Sequence, residues 1–239
     1  MPRLALVTLI AAGAALGCER PGADPRPIDR SLVAVGAQVT IRTAPVGVGA
    51  FEAPATFALV DADNHADVAA EVTLGGVLVD ADGHEVASLR PASLIIPPGG
   101  QRTFALVDRG SAVRSTAVGA RVDVRGAREP RFPEPVRVTD GHIYRDGDRA
   151  VVAAMLENTS DRPVIAMVMA GFHDGDGRPL TRPFAPFVMG AGSSHPSRFV
   201  GPDGSRSGYI FIGDVTYCPT AGCAVKWAAP QPPPPPAAP

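Results

Sequence analysis

The chain carries the same four-residue turn motif twice. Asp80-Ala81-Asp82-Gly83 and Asp174-Gly175-Asp176-Gly177 both read D-x-D-G, and they begin 94 residues apart. An alternating apolar run precedes each motif, and a period of two predicts a strand with one face toward a core. The repeat therefore predicts two domains of similar fold. The first run contains Val68, Ala70, Val72 and Leu74, and the second contains Val164, Ala166, Val168, Ala170 and Phe172.

The residues around the motifs indicate short strands joined by turns. Each D-x-D-G precedes an apolar pair or triplet, then a Gly-, Pro- or Ser-rich turn at residues 97–100 or 190–194, then a strand start at Phe104 or Phe199. The chain has 26 glycines and 26 prolines, and no long amphipathic helical pattern lies between them. This spacing predicts an all-β fold of two tandem immunoglobulin-like β-sandwich domains, each near the usual ~100 residues.

The turn chemistry also resembles a known family. Residues 156–164 read LENTSDRPV and residues 170–177 read AGFHDGDG, which is similar to the FxLYD-type domains of prokaryotic lipoproteins. The first copy keeps that family's P-P-G turn (97–99) but has Asp61 and Asp63-Asn64 in place of N-T-S-D, whereas the second copy lacks P-P-G. The resemblance implies a structural motif and supplies no catalytic residue.

The N-terminus has the three parts of an export signal in order. Arg3 is followed by apolar and small residues at 4–16, a stretch shorter than the about twenty residues that span a bilayer. Ala15-Leu16-Gly17-Cys18 resembles the lipobox of bacterial lipoproteins, which implies diacylation of Cys18 (with palmitate-like chains) and cleavage before it. The alternative is an ordinary signal peptide with Cys18 as an incidental thiol. Glu19, in place of an Asp, favours the outer over the inner membrane.

These patterns predict the organisation of the whole chain. We expect a signal peptide at 1–17, the lipidated Cys18 and a flexible tether at 18–31, and a first β-sandwich at 32–127. A Pro-rich linker at 128–135, a second β-sandwich at 136–229 and a Pro-rich tail at 230–239 follow.

Two cysteines remain in the mature chain, Cys218 and Cys223. An exported protein in an oxidising compartment most simply pairs them in a disulfide. A metal site would need two more ligands, and no Cys or His pair lies nearby.

Charge and motifs exclude several functions. The 22 Lys and Arg residues nearly balance 24 Asp and Glu residues without a basic block, so no nucleic-acid partner is expected. Residues 204–208 read GSRSG and miss the G-x-S-x-G nucleophile elbow. We expect no catalytic residue and no cofactor.

The polar clusters have a structural and a functional interpretation. Asp61, Asp63, Asn64 and Asp67, or the D-x-D-G pairs, offer oxygen ligands to calcium, but hairpin turns require the same residue types. The turn interpretation is favoured, and no metal site is predicted. The histidines occur singly beside turns, which predicts solvated side chains; they are His65, His84, His142, His173 and His195.

The second copy has an excess of apolar residues. Ile165, Met167 and Met169 alternate with the core-facing set of the same strand, so both of its faces are apolar. Met and aromatic residues are enriched in interfaces, so these three residues predict a partner surface. The alternatives are that this face packs against the first domain or is covered by residues 218–227.

The sequence thus predicts a membrane-anchored envelope lipoprotein that acts as a non-catalytic binding or structural module. Its expected partners are the membrane, through the lipid on Cys18, and another envelope protein. One alternative is an envelope enzyme or enzyme subunit with a site between the domains, built from dispersed Asp and His residues. Another is an accessory lipoprotein of secretion or surface assembly.

The first testable prediction concerns the anchor. The intact mass of the membrane form should equal the chain from Cys18 plus diacylglyceryl, and Cys18→Ala should release or mislocalise the protein. A soluble, unmodified wild-type protein would contradict it.

Overall fold

A computed structural model describes residues 25–47 and 52–218, and in these ranges nearly all of the regular secondary structure is β-strand. A single turn of 3-10 helix (Arg30–Leu32) precedes the first strand, and among the described residues no helix is long and apolar enough to cross a membrane. The strands are β1 (Val33–Val46), β2 (Ala53–Asn64), β3 (Ala70–Val79), β4 (Glu85–Ile96), β5 (Gln101–Val107), β6 (Gly119–Arg128), β7 (Val136–Asp146), β8 (Arg149–Asn158), β9 (Val164–His173), β10 (Pro179–Thr181), β11 (Phe184–Met189), β12 (Ser194–Val200) and β13 (Ser207–Tyr217).

The strands form two sandwiches with the same connectivity. In the first, β1-β2-β5 and β4-β3-β6 are the two sheets. In the second, β7-β8-β12 is one sheet, and in the other β9 pairs with β10 and β11 on one side and with β13 on the other. All of these pairings are antiparallel. The prediction of an all-β, tandem immunoglobulin-like sandwich is confirmed.

The period-two pattern accounts for both cores. Ala70, Val72 and Leu74 of β3 are buried in the first core, whereas Val68 precedes the strand and is exposed. Val164, Ala166 and Val168 of β9 occupy the same place in the second core. The strand that follows the D-x-D-G turn differs between the copies. In the first copy β4 is continuous, but in the second it is divided into β10 and β11 around Arg182 and Pro183.

The repeat is maintained by two buried asparagines, Asn64 and Asn158, which again lie 94 residues apart. Asn64 donates through Nδ2 to the carbonyls of Val68 (2.8 Å) and Ile96 (3.0 Å), and its Oδ1 accepts the N–H of Ala66. Asn158 donates in the same way to the carbonyls of Arg162 and Gly190 (both 2.8 Å). Each side chain therefore satisfies backbone groups that the turn leaves without strand partners.

The D-x-D-G turns are also equivalent. Asp80 Oδ1 accepts the N–H groups of Asp82 and His84, and Asp174 Oδ1 accepts those of Asp176 and Arg178. The glycine that ends each motif has a positive φ, which that residue adopts without steric cost. The first Asp of each motif therefore acts as a turn residue.

The second prediction follows from the asparagines. Asn158→Ala should lower the free energy of unfolding by about 1–3 kcal/mol, because two part-buried carbonyls lose the donor that the buried Asn158 supplies. Asn158→Asp should lower it similarly, because a carboxylate cannot donate. Urea denaturation measures both, with the exposed Asp161→Ala as the control. Equal stability of all three variants would contradict this role.

Candidate functional site

The two sandwiches meet through the outward face of β9 and β13. Phe211 of β13 is fully buried, and it belongs to the hydrophobic cluster of the first sandwich together with the partly buried Met169 and Tyr209. Phe211 and Met169 are cross-strand partners in the β13–β9 register, so they lie on the same face. This face of the second domain therefore completes the core of the first.

A polar cluster lies at the same interface. His173 Nε2 is 2.9 Å from Asp61 Oδ2, and Thr103 Oγ1 donates to Asp61 Oδ1 at 2.6 Å. The hydroxyl oxygens of Thr103 and Tyr209 are 2.9 Å apart, and the Tyr209 ring stacks on His173 with ring centres 5.7 Å apart. Because the Thr103 proton goes to Asp61, the Tyr209 hydroxyl donates to Thr103. The cluster thus joins β2 and β5 to β9 and β13.

Strand register brings these side chains together. Asp61 and Thr103 are partners in the β2–β5 ladder, and Tyr209 and Gly171 are partners in the β13–β9 ladder. A Cβ on Gly171 would lie 2.6 Å from Thr103 Oγ1, closer than such atoms approach. The absence of a side chain at position 171 therefore lets the two domains approach closely enough for Thr103 to reach Tyr209.

The interface holds ionisable groups away from water. Burial, reinforced by the charge of Asp61, raises the pKa of Tyr209, so its hydroxyl stays protonated. Burial lowers the pKa of Arg182 to about 10 and also lowers that of Arg102, whose guanidinium lies 5.1 Å from the centre of the Phe211 ring. Within the described ranges the Nε atoms of both arginines have no hydrogen-bond partner.

The Asp61–His173 pair has part of the geometry of a catalytic dyad but not its accessibility. In a triad the carboxylate orients the imidazole, which then activates a hydroxyl. Here the nearby hydroxyl, on Thr103, bonds the carboxylate and Tyr209, and the side chains of His173 and Asp61 are only 6% and 9% exposed. This arrangement suits a contact that holds the two domains together.

The structure corrects two expectations. His173 is buried and hydrogen-bonded, so the prediction that the histidines are all solvated is wrong at this position. Asp61 lies inside β2 and contacts the second domain instead of forming a turn. Each residue directly follows an apolar run of its strand, where an ionisable side chain signals a buried partner.

The other candidate residues are placed as follows. Ile165 and Met167 are half-buried on the outward face of β9, and within residues 25–47 and 52–218 they belong to none of the hydrophobic clusters, whereas Met169 packs on the first domain. The side chain of Asn64 is hydrogen-bonded to backbone carbonyl groups. Asp80, Asp82 and His84 have ligand atoms within 4.8 Å of one another at the exposed hairpin.

Cys218 is buried after β13, but Cys18 and Cys223 lie outside the described residues. Lipidation and the disulfide therefore stay predictions.

A second feature of this region is a cleft beside the interdomain linker, here called the linker cleft. It has a volume of about 610 Å³, and its walls come from the linker, from β3 and β4, and from the end of β13. Burial raises the pKa of Glu134 on its wall. The lining residues are Glu71, Ile95, Pro130, Arg131, Phe132, Pro133, Glu134, Pro135, Gly213, Asp214, Val215 and Tyr217.

Comparison with known proteins does not assign a family. No family model and no curated protein matches the chain. One solved structure to which it is similar is the N-terminal CBM22-1–CBM22-2 tandem domain of Paenibacillus barcinonensis Xyn10C. The identity is 7%, the match covers 77% of this chain and 85% of that one, and the TM-score is 0.15. A likeness this low carries no argument, so function rests on the residues themselves.

The third prediction tests the interdomain pair. His173→Ala should lower the free energy of unfolding by about 3 kcal/mol, because it leaves the buried Asp61 carboxylate with fewer partners. The matched control is His84→Ala, since that side chain is 78% exposed beside Asp80. Urea denaturation followed by circular dichroism measures both. A loss at His173 no larger than at His84 would show that the pair does not hold the domains together.

Proposed function

We propose that this chain is a cell-envelope lipoprotein, anchored through lipid on Cys18, that acts by binding another envelope protein. The lipobox-like sequence before Cys18 supports the anchor, and Glu19 favours the outer membrane. The burial of Asp61 and His173 supports a non-catalytic role, because a substrate could reach them only after the domains separate.

The proposal rests on one observation: part of the outward face of β9 packs against the first domain, and the rest does not. Met169, Gly171 and His173 are used against the first domain. Among the described residues, Ile165 and Met167 belong to none of the hydrophobic clusters, and their cross-strand partners on β11 are Val188 and Pro186. Phe184, beside Met169, is 51% exposed.

We call Ile165, Met167, Phe184, Pro186 and Val188 the outer patch. When one face of a sheet meets only water, the residues on that face are normally polar. Polar and apolar residues then alternate along each strand. Beyond the domain contact this outward face is apolar on its β9–β11 side, whereas Asp214 and Thr216 of β13 pair with Met167 and Ile165 on its other side. An apolar patch with a polar rim is typical of a protein-binding surface.

The alternative of an enzyme with a site between the domains is favoured by one observation, the convergence of Asp61 and His173 across the interface. In the part of the chain that the structure describes, no hydroxyl bonds His173, and the side chains of His173 and Asp61 are buried from bulk solvent. A role in secretion or surface assembly is a particular case of the binding function, and it would use the same outer patch.

The fourth prediction separates the two parts of β9. Met169→Glu should destabilise the protein, because it places a charge against the first domain's core. Met167→Glu should leave the free energy of unfolding within about 0.5 kcal/mol of wild type, as at ordinary surface sites, and should abolish binding to the partner.

Binding is measured by site-specific photo-crosslinking in the native envelope. A photoreactive residue at position 167 or 184 should give one specific adduct, which Met167→Glu removes when the photoreactive residue is at 184. The control position is Ile143, an exposed apolar residue on the opposite sheet of the same domain. Identical adduct patterns at 143 and 184, or no adduct at either outer-patch position, would overturn the proposed surface.

A further inference from the structure

A polar cavity of about 410 Å³ lies where β1 of the first domain meets the D-x-D-G hairpin of the second. Its walls come from residues 39–43 of β1, from the loop between β5 and β6, and from Arg178, which directly follows the hairpin turn. Gln38 Nε2 donates to the carbonyl of Asp176 at 3.1 Å, so the hairpin is held against the start of β1. Both domains therefore contribute to this cavity.

The cavity walls carry three arginines and no acidic residue. Arg114 is held by the buried carboxylate of Asp108, which accepts its Nε at 3.2 Å and its Nη2 at 3.4 Å. In the part of the chain that the structure describes, the side chains of Arg42 and Arg178 have neither a carboxylate nor a hydrogen-bond partner. Two positive charges at the cavity are therefore without a paired anion.

The acidic residues of the hairpin do not pair with these arginines. Asp174 Oδ1 accepts the backbone N–H groups of Asp176 and Arg178, which is its part in the turn. Among the described residues, neither Asp174 nor Asp176 forms an ion pair with the Arg178 guanidinium, and neither lines the cavity. The guanidinium of Arg178 thus keeps its donors for another group.

A hydroxyl group adds a neutral donor to the cavity. Thr40 lines it, and the Thr40 Oγ1 atom is buried without a hydrogen-bond partner within residues 25–47 and 52–218. A buried hydroxyl that makes no hydrogen bond costs free energy, which a ligand oxygen at bonding distance would recover. The donors around this cavity are therefore suited to an anion that has several oxygens.

We propose that this cavity binds a phosphate monoester. Arg42, Arg114 and Arg178 donate to the phosphate oxygens, because guanidinium groups match phosphate in charge and in the spacing of their donors. The two unpaired positive charges correspond to the charge of a phosphate monoester near neutral pH, about −1.5 to −2, whereas a carboxylate supplies only one. The cavity is as large as ordinary ligand pockets, about 300–1,000 Å³, so it also has room for the group that the phosphate esterifies.

This inference goes beyond the proposed function and does not depend on it. The outer patch contributes no residue to the cavity, so loss of the envelope partner and loss of phosphate binding are separate outcomes.

The test uses glycerol 3-phosphate as the probe and the mature full-length chain with Cys18→Ser as the protein. Isothermal titration calorimetry should show saturable binding to one site. Arg42→Gln and Arg178→Gln should each raise the Kd about tenfold, because each removes a charge-assisted hydrogen bond. Acetate at the same concentrations should not compete.

The matched control is Arg121→Gln. Arg121 is an exposed arginine of the first domain that bonds the carbonyl of Gly83 and, within the described ranges, has no carboxylate partner. Its replacement removes the same charge and should leave the Kd unchanged, and circular dichroism confirms that each variant is folded. Equal weakening by Arg121→Gln and Arg178→Gln would show only non-specific attraction and would overturn the site.

Vesicle flotation separates a soluble phosphate ester from a lipid headgroup as the source of the phosphate. Vesicles of phosphatidylcholine and phosphatidic acid in equal amounts present the monoester at their surface, and phosphatidylcholine alone is the control. Flotation that Arg42→Gln and Arg178→Gln abolish supports a lipid headgroup, whereas binding of glycerol 3-phosphate without flotation supports a soluble ester. A wild-type chain that binds neither probe would overturn the inference.

Discussion

The packing of Phe211 into the first sandwich is the interaction on which the arrangement of the two domains depends. A fully buried Phe contributes about 1.5–3 kcal/mol relative to an exposed one, and here it comes from the second domain. Its position requires close approach of the backbones, which explains why Gly171 faces Thr103 and why Gly213 leaves room for the Met169 side chain. The polar contacts between Asp61 and His173 then fix the orientation of surfaces that apolar packing alone would leave free to slide.

The two copies diverge where they meet. At the repeat offset of 94, the counterparts of Gly171 and His173 are Val77 and Val79, and the counterpart of Asp61 is Met155. The turn asparagines Asn64 and Asn158, by contrast, are the same residue with the same bonding. Residues that define the sandwich are thus shared by the copies, whereas residues that join the sandwiches are specific to one. This division places the specialised chemistry of the chain on one face of β9 and on the strands that contact it.

The alternating strands and the turns could be predicted because they depend on neighbours in sequence. Val164 to Phe172 and the D-x-D-G turns are examples. The Asp61–His173 contact could not, since its partners are 112 positions apart and belong to different domains. A signal was nevertheless present, because each is an ionisable residue that directly follows an apolar run of its strand. Met169 shows a similar limit. The sequence predicted the second apolar face of β9. Which of its residues contact the first domain and which form the outer patch depends on how far the first domain extends along the strand.

The position of β13 also has a consequence for biogenesis. It is the last of the described strands, yet it supplies Phe211 and Tyr209 to a cluster that otherwise belongs to the first sandwich. During N-to-C synthesis, β1 to β6 are complete about eighty residues before that aromatic pair is made. Through this interval the carboxylate of Asp61 and the hydroxyl of Thr103 stay hydrated and the first core stays unsealed. The first domain is therefore completed only when the second has been made, and the folding intermediate has a formed first half with an open interface.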